Sequence, residues 1–367
     1  MAVTMPMMAN EEVSSPTDTS SVSKVTEDAE GSLNPSAVII GHIADIHSWH
    51  LFDYYDKQGV EHAVAIPLPV ILINDGHVDM FMSSRFYHGH ATYKGYALIG
   101  GGQEKEEIVC VDGEGNIILN EDGSQKKPID LSISKIPAAI MIAVALLIAI
   151  VLYSARQYKK RGTEAPQGVQ SLVEMLVCHV RDDMAKPMIG HKYEKYLPYL
   201  LTLFFFIFFC NILGIIPFFP AGANITGNIV VTGVLALITF LICNLSGNKH
   251  YWKDIFNTPG VPAWLKIFPL MPVVELIGVF TKPIVLMIRL FANMTAGHIV
   301  ILGFVVIIFI LSNTFGPAVG GSISVISVLL SVFISALECL VAYIQAYVFT
   351  MLTSLYIGMA VEEPEAE

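Results

Sequence analysis

The chain has 367 residues, 54% hydrophobic and only 14% charged, with a mean hydropathy of +0.60, a balance that excludes an ordinary water-soluble globule. Its formal charge of −11 is unevenly placed: residues 1–135 hold 8 of the 21 basic and 20 of the 32 acidic residues, leaving 13 and 12 downstream. Five scattered cysteines (Cys110, Cys178, Cys210, Cys243, Cys339) give neither a disulfide framework nor a zinc knuckle. Without a glycine-rich phosphate loop, a nucleophile elbow or an H-E-x-x-H helix, soluble nucleotide and hydrolase chemistry have no seat. No cofactor, metal or nucleic-acid partner is expected, and any ATP chemistry must belong to other chains.

In chain order, residues 1–35 are rich in Ser, Thr, Glu and Asp and read as a disordered acidic tail. Residues 36–135 read as a small β-rich extracytoplasmic extension, with short apolar runs at 70–73, 108–111 and 117–119 around the turn Asp112-Gly113-Glu114-Gly115. Ile136 to Ala155 carries no charge and is long enough to cross about 30 Å of hydrocarbon. Arg156, Lys159, Lys160 and Arg161 follow, so the positive-inside rule places that end in the cytoplasm and the extension outside. An outside extension of this size ordinarily needs a signal peptide. Met1 to Asn10 has no basic region followed by an apolar core, so either the natural start differs or translocation takes another route.

Residues 168–186 mix apolar positions with Glu174, Arg181, Asp182 and Asp183 and read as a helix on the cytoplasmic interface. Further spans are expected at about 197–219, 228–246, 267–311 and 319–360, the last two too long for a perpendicular crossing and therefore tilted. The expected fold is an all-α polytopic membrane domain, 136–367, with about five transmembrane helices, an outside N-terminus and a cytoplasmic C-terminus.

Three ionisable residues sit seven apart in the penultimate span: Glu275, Lys282 and Arg289. Seven residues turn a helix through about 700°, so the three share one stripe. A charge at a helix centre costs roughly 2.5–3.5 kcal/mol on insertion scales, so the stripe should face a partner rather than lipid. For Glu275 and Lys282 the competing reading is snorkelling at the cytoplasmic end. Asn293 lies about 40° from Arg289 and His298 about 180° away. The last span carries Glu338 and Gln345 on a stripe of their own. A His and a Glu in apolar helices can both titrate near neutral pH, which suits proton relay.

The segment from Lys282 to His298, KPIVLMIRLFANMTAGH, resembles the signature helix of the a subunit of F-type ATP synthases. The segment from Leu337 to Thr350 resembles that family's last helix, and Asn211 and Pro217 fit its outward hairpin; the resemblance runs over roughly 168–360. Some members carry an acidic residue where this chain has Gly214, and the extension lies outside the general pattern.

The resemblance implies a proton-translocating stator of the Fo motor, a non-catalytic channel subunit without an ATP site, in a bacterial inner (plasma) membrane. Arg289 would face a ring of c subunits. Asn211, Asn293, His298, Glu338 and Gln345 would line the outer half-channel, and Glu275 and Lys282 the cytoplasmic one. Implied partners are the c-ring, the b subunits of the peripheral stalk, the F1 sector, protons and the bilayer. Two alternatives stay open. The chain could be an ion channel or secondary transporter whose arginine binds an anion, although no internal repeat is visible. Seven histidines of the extension (His42, His47, His50, His62, His77, His88, His90) could hold a metal, although their spacing matches no known ligand set.

Overall fold

The computed structural model describes residues 39, 43–55, 61–89, 91–101, 104–162, 164–216, 222–256 and 270–362. The expected disordered tail, Pro217 and the acidic end 363–367 lie outside the described residues.

The extension forms three small antiparallel sheets. Strands β1 (Ser48–Tyr55) and β2 (Glu61–Pro67) pair as a hairpin. Strands β3 (Pro69–Asn74) and β4 (His77–Met82) are joined by Asp75-Gly76, both with positive φ (47° and 84°), the two-residue turn whose twist matches the flanking strands. Strands β5 (Tyr96–Gly101) and β6 (Glu104–Cys110) pair with each other, and β7 (Ile129–Asp130) pairs with β3. Alternate residues of β3, Val70 and Leu72, point into a core shared with Phe86, Tyr96, Leu98, Ile108 and Cys110.

Where this cap meets the first long helix, α1 (Lys135–Arg161), the junction is polar and closed. Asp45 Oδ1 accepts from the Ile136 amide at 2.9 Å and Oδ2 from the Ser134 hydroxyl at 2.8 Å, so a carboxylate satisfies a free amide at the positive end of the helix. Two residues on, the buried His47 ring lies 3.0 Å from Asp130 Oδ2 and 3.4 Å from Glu106 Oε2, tying β7 and β6 to the segment that leads into β1. Burial by itself would lower the His47 pKa, but the two carboxylates outweigh it and push the ring up to about 9. Burial would likewise raise Asp130, yet its hydrogen bonds to His47 and Ser132 hold it at about 2.

The sign of the linkage follows. Stability from His47 is fully present below its ordinary value of 6.5 and is lost as pH rises through about 9. Stability from Asp130 is present above 3.8 and is lost as pH falls through about 2. Thermal unfolding of the full-length protein in detergent, followed by tryptophan fluorescence, is therefore expected at lower temperature at pH 9.5 than at pH 6. His47→Gln should remove that difference; an unchanged pH dependence in the variant would refute the latch.

Among the described residues five helical stretches are long and apolar enough to cross a membrane, and the chain folds as a mostly helical polytopic protein whose described strands all precede α1. After α1, α2 (Val169–His179) runs through a π-helical turn, Val180–Ala185, into the short α3 (Lys186–Ile189). Gly190, at φ 71°, breaks the run. Next come α4 (Tyr193–Ile215), α5 (Ile229–Ser246), α6 (Lys249–Phe256) and two very long helices, α7 (Leu270–Phe315) and α8 (Pro317–Val361). At 46 and 45 residues these last two would each be about 70 Å long, twice what a perpendicular crossing needs.

The main core gathers Leu200, Phe204 and Ile207 of α4, Leu286, Leu290 and Met294 of α7, and Ala342, Ala346 and Phe349 of α8. Small residues let α8 come close. A Cβ on Gly358 would sit 2.0 Å from the Met188 carbonyl oxygen, and Ser354 Oγ donates to the Met184 carbonyl at 3.1 Å. The end of α8 is held by Asn248, whose amide nitrogen donates to the Val361 carbonyl at 3.0 Å.

Candidate functional site

Opposite faces of α7 carry different groups. Arg289 and Asn293, one turn apart, are both exposed on its surface. Among the described residues Arg289 forms neither an ion pair nor a hydrogen bond, although its charge acts on Tyr356 of α8. Lys282 lies 5.2 Å over the Tyr356 ring and lines a small cavity with Cys243, Asn244, Tyr251 and Tyr356. Glu275 is half-buried. The Glu275–Lys282–Arg289 stripe is thus graded: its lower members lean against protein and Arg289 stands clear.

His298 turns the other way. Its Nδ1 lies 2.9 Å from Glu338 Oε1 on α8 and 3.2 Å from the Met294 carbonyl, while Nε2 lies 3.1 Å from the Gly214 carbonyl at the end of α4. Three helices meet at this one ring. Glu338 is 4% exposed, and its Oε2 has no hydrogen-bond partner among the described residues. Room for the carboxylate comes from Gly297, where a Cβ would fall 2.6 Å from Oε1, so any side chain at 297 would displace the acid.

This geometry accommodates two protonation patterns. An imidazolium can donate to both Gly214 and a Glu338 carboxylate. Alternatively a neutral ring donates to Gly214 through Nε2–H while a protonated Glu338 donates to Nδ1. One proton shift interconverts them, while Oε2 stays buried without a hydrogen-bond partner among the described residues.

Asn211 is buried beside this pair. Its side-chain nitrogen donates to the Ala342 carbonyl at 3.3 Å and its oxygen accepts from the Thr226 hydroxyl at 2.6 Å. Gln345 is buried on α8, two turns beyond Glu338. The structure therefore brings Asn211, His298 and Glu338 together, and leaves Arg289 and Asn293 on the exposed flank and Glu275 and Lys282 towards the other end of α7.

Sequence reasoning missed several contributors. Thr226 and Thr295, whose hydroxyl donates to the Gly227 carbonyl at 3.3 Å, look like ordinary loop and helix residues. Gly297 gives no local signal of the acid it accommodates. The Gly214 backbone abuts His298: a Cβ there would lie 3.7 Å from the ring. His179 stacks on Tyr347 at 5.5 Å and pairs with Asp183 at 2.6 Å on the π-helical turn, a feature that periodicity does not reveal. In the extension, no three His, Cys, Asp or Glu among the described residues are grouped to hold a metal, and His42 and His90 lie outside the described residues.

Five apolar helices with a half-buried His paired to a buried Glu, and an arginine on the opposite flank, define a class: a polytopic membrane protein with an ionisable interior. Comparison with known proteins gives the family. The ATP synthase A chain family matches residues 138–358, and the chain belongs to it. It is similar to ATP synthase subunit a 2 of Chlorobaculum tepidum, 46% identical over 237 residues, covering 63% of this chain and 64% of the relative. It is 44% identical over 238 residues to ATP synthase subunit a of Chloroherpeton thalassium, covering 63% and 67%, and 42% identical over 239 residues to subunit a of Myxococcus xanthus, covering 64% and 74%. The chain thus spans about two thirds of the length of the first two relatives. Residues 38–131 match a second family, described as a domain of unknown function.

Proposed function

We propose that this chain is the proton-translocating stator of a bacterial Fo motor, seated in the inner membrane with the extension outside and the end of α8 in the cytoplasm. A ring of c subunits, each with one membrane carboxylate, would turn past Arg289. Asn211, Asn293, His298, Glu338 and Gln345 would serve the outer half-channel, and Glu275 and Lys282 the cytoplasmic one. Stalk b subunits and the F1 sector would complete the complex, and ATP would be made there.

The observation that carries this reading is the division of α7: a titratable pair buried towards α4 and α8 on one side, a permanently charged guanidinium on the other. A guanidinium stays protonated at physiological pH, so it can repel and release protons at a passing carboxylate without conducting them between the half-channels. An anion transporter is not favoured, because the family match covers all three helices that build the pair. Orientation is supported by Lys159, Lys160 and Arg161 in the last turn of α1, opposite the end that meets the extension.

The reading is tested by affinity purification of the full-length protein from its own membranes. Recovery of an oligomeric ring of short two-helix subunits, together with soluble catalytic subunits, is the expected result. Recovery of the chain alone under conditions that preserve other membrane complexes would overturn it.

A further inference from the structure

The turn between α4 and α5 behaves unlike a membrane-protein surface loop. Ala223, Asn224, Ile225 and Thr226 are all buried, whereas connecting segments normally run over the surface. Part of what covers them comes from the extension. Trp49, at the start of β1 and 4% exposed, forms one cluster with Ala139 and Ala143 of α1, Cys210 of α4, and Ala223 and Ile225 of the turn, with its cross-strand partner Ile66 packed alongside.

On its other side the same turn grips the site. Thr226 donates to Asn211, the Gly227 carbonyl accepts from Thr295, and the Gly222 amide donates to the Leu213 carbonyl at 3.0 Å, next to the Gly214 carbonyl that meets His298. The Asn224 amide nitrogen is buried here without a hydrogen-bond partner among the described residues.

We propose that Trp49 is a positioning residue for proton transfer: the extension braces the α4–α5 turn from outside, and the turn in turn holds Asn211 and the Gly214 carbonyl against His298. The extension is then part of the working outer half-channel rather than an appendage. The physical reason is rigidity. An indole offers a large apolar contact with only two rotatable bonds, so the turn is fixed at low entropic cost. Remove it, and the turn keeps its own side-chain bonds but loses the wall that excludes water and confines its position.

This inference rests on the proton-relay reading of His298 and Glu338, and the test separates the two. ATP synthesis per assembled complex is measured in membrane vesicles carrying the whole synthase, as a function of pH on the side facing the extension. Trp49→Ala is expected to lower the rate roughly tenfold, since a displacement near 1 Å at a positioned group costs up to about a hundredfold. The midpoint of the pH profile should also move, because the Gly214 carbonyl no longer holds the His298 ring. Trp49→Phe should restore most of both. A wild-type rate and profile in Trp49→Ala overturns the proposal, as does a loss that tracks only the amount of complex with the profile unmoved. Should Trp49→Ala fail to assemble, Trp49→Leu and Ile225→Ala are read in the same way, and wild-type profiles in both overturn it. Arg289→Ala is the control. If it makes ATP at the wild-type rate, the functional reading itself fails, whereas an inactive Arg289→Ala beside a normal Trp49→Ala sinks the role of Trp49 alone.

Discussion

Arg289→Ala is expected to bring ATP synthesis in membrane vesicles below detection, with the complex still assembled. Arg289 is exposed on α7 with no hydrogen bond or ion pair among the described residues, so its removal leaves no buried partner unsatisfied and should cost little stability. The effect falls on the reaction. Opposite charges 4 Å apart at an effective dielectric near 20 interact by about 4 kcal/mol, equivalent to roughly three pKa units at a passing carboxylate. Losing that term makes proton release on the order of a thousandfold less favourable. Arg289→Lys should also lose most activity despite keeping a positive charge. An ammonium can deprotonate where desolvation lowers its pKa, and it lacks the planar fork of donors. The check is ATP synthesis driven by an acid–base transition, with subunit content verified on the same vesicles; a wild-type rate from Arg289→Ala would remove the arginine from the mechanism.

The second large effect concerns the buried pair. His298→Ala and Glu338→Gln should each reduce proton-driven ATP synthesis by about a hundredfold, the usual scale of a positioned acid–base group. Part of each loss is structural, because removing one partner of a buried pair leaves the other uncompensated at about 3–5 kcal/mol. The exchanged variant, His298→Glu with Glu338→His, keeps one acid and one base between the same three helices and should retain more activity than either single change. Gly297 leaves room for the side chain at 338, since a Cβ on Gly297 would lie 2.6 Å from Glu338 Oε1. Equal loss in all three variants would show that geometry at each position, rather than transfer between them, is what the site requires.

Five apolar stretches, a β-rich N-terminal region and the stripe of Glu275, Lys282 and Arg289 are local: they follow from hydropathy, length and the helical repeat. The 180° separation of His298 from Arg289 is also local, and it appears as one half-buried group and one exposed group on the same helix. What could not be read was contact between segments far apart in the chain. His298 finds Glu338 40 residues later and Gly214 84 residues earlier. Nothing in the neighbourhood of Gly297 foretells that its missing side chain makes room for an acid on another helix.

The extension divides in the same way. Its strands, its Asp75-Gly76 turn and its acidic character are properties of short segments. That His47 draws together Glu106 and Asp130, and that Trp49 shares one hydrophobic cluster with α1 and with Ala223 and Ile225 of the α4–α5 turn, are decided by packing.

The sequence by itself determined that this is a membrane protein, that it has stretches long and apolar enough to cross, and that one arginine stands among apolar residues, because those properties depend on solvent transfer and helical periodicity alone. Only the tertiary structure decided that His298, Glu338, Asn211 and Gly214 form one site with Trp49 braced behind it, because a buried polar group must find its partners wherever the fold brings them.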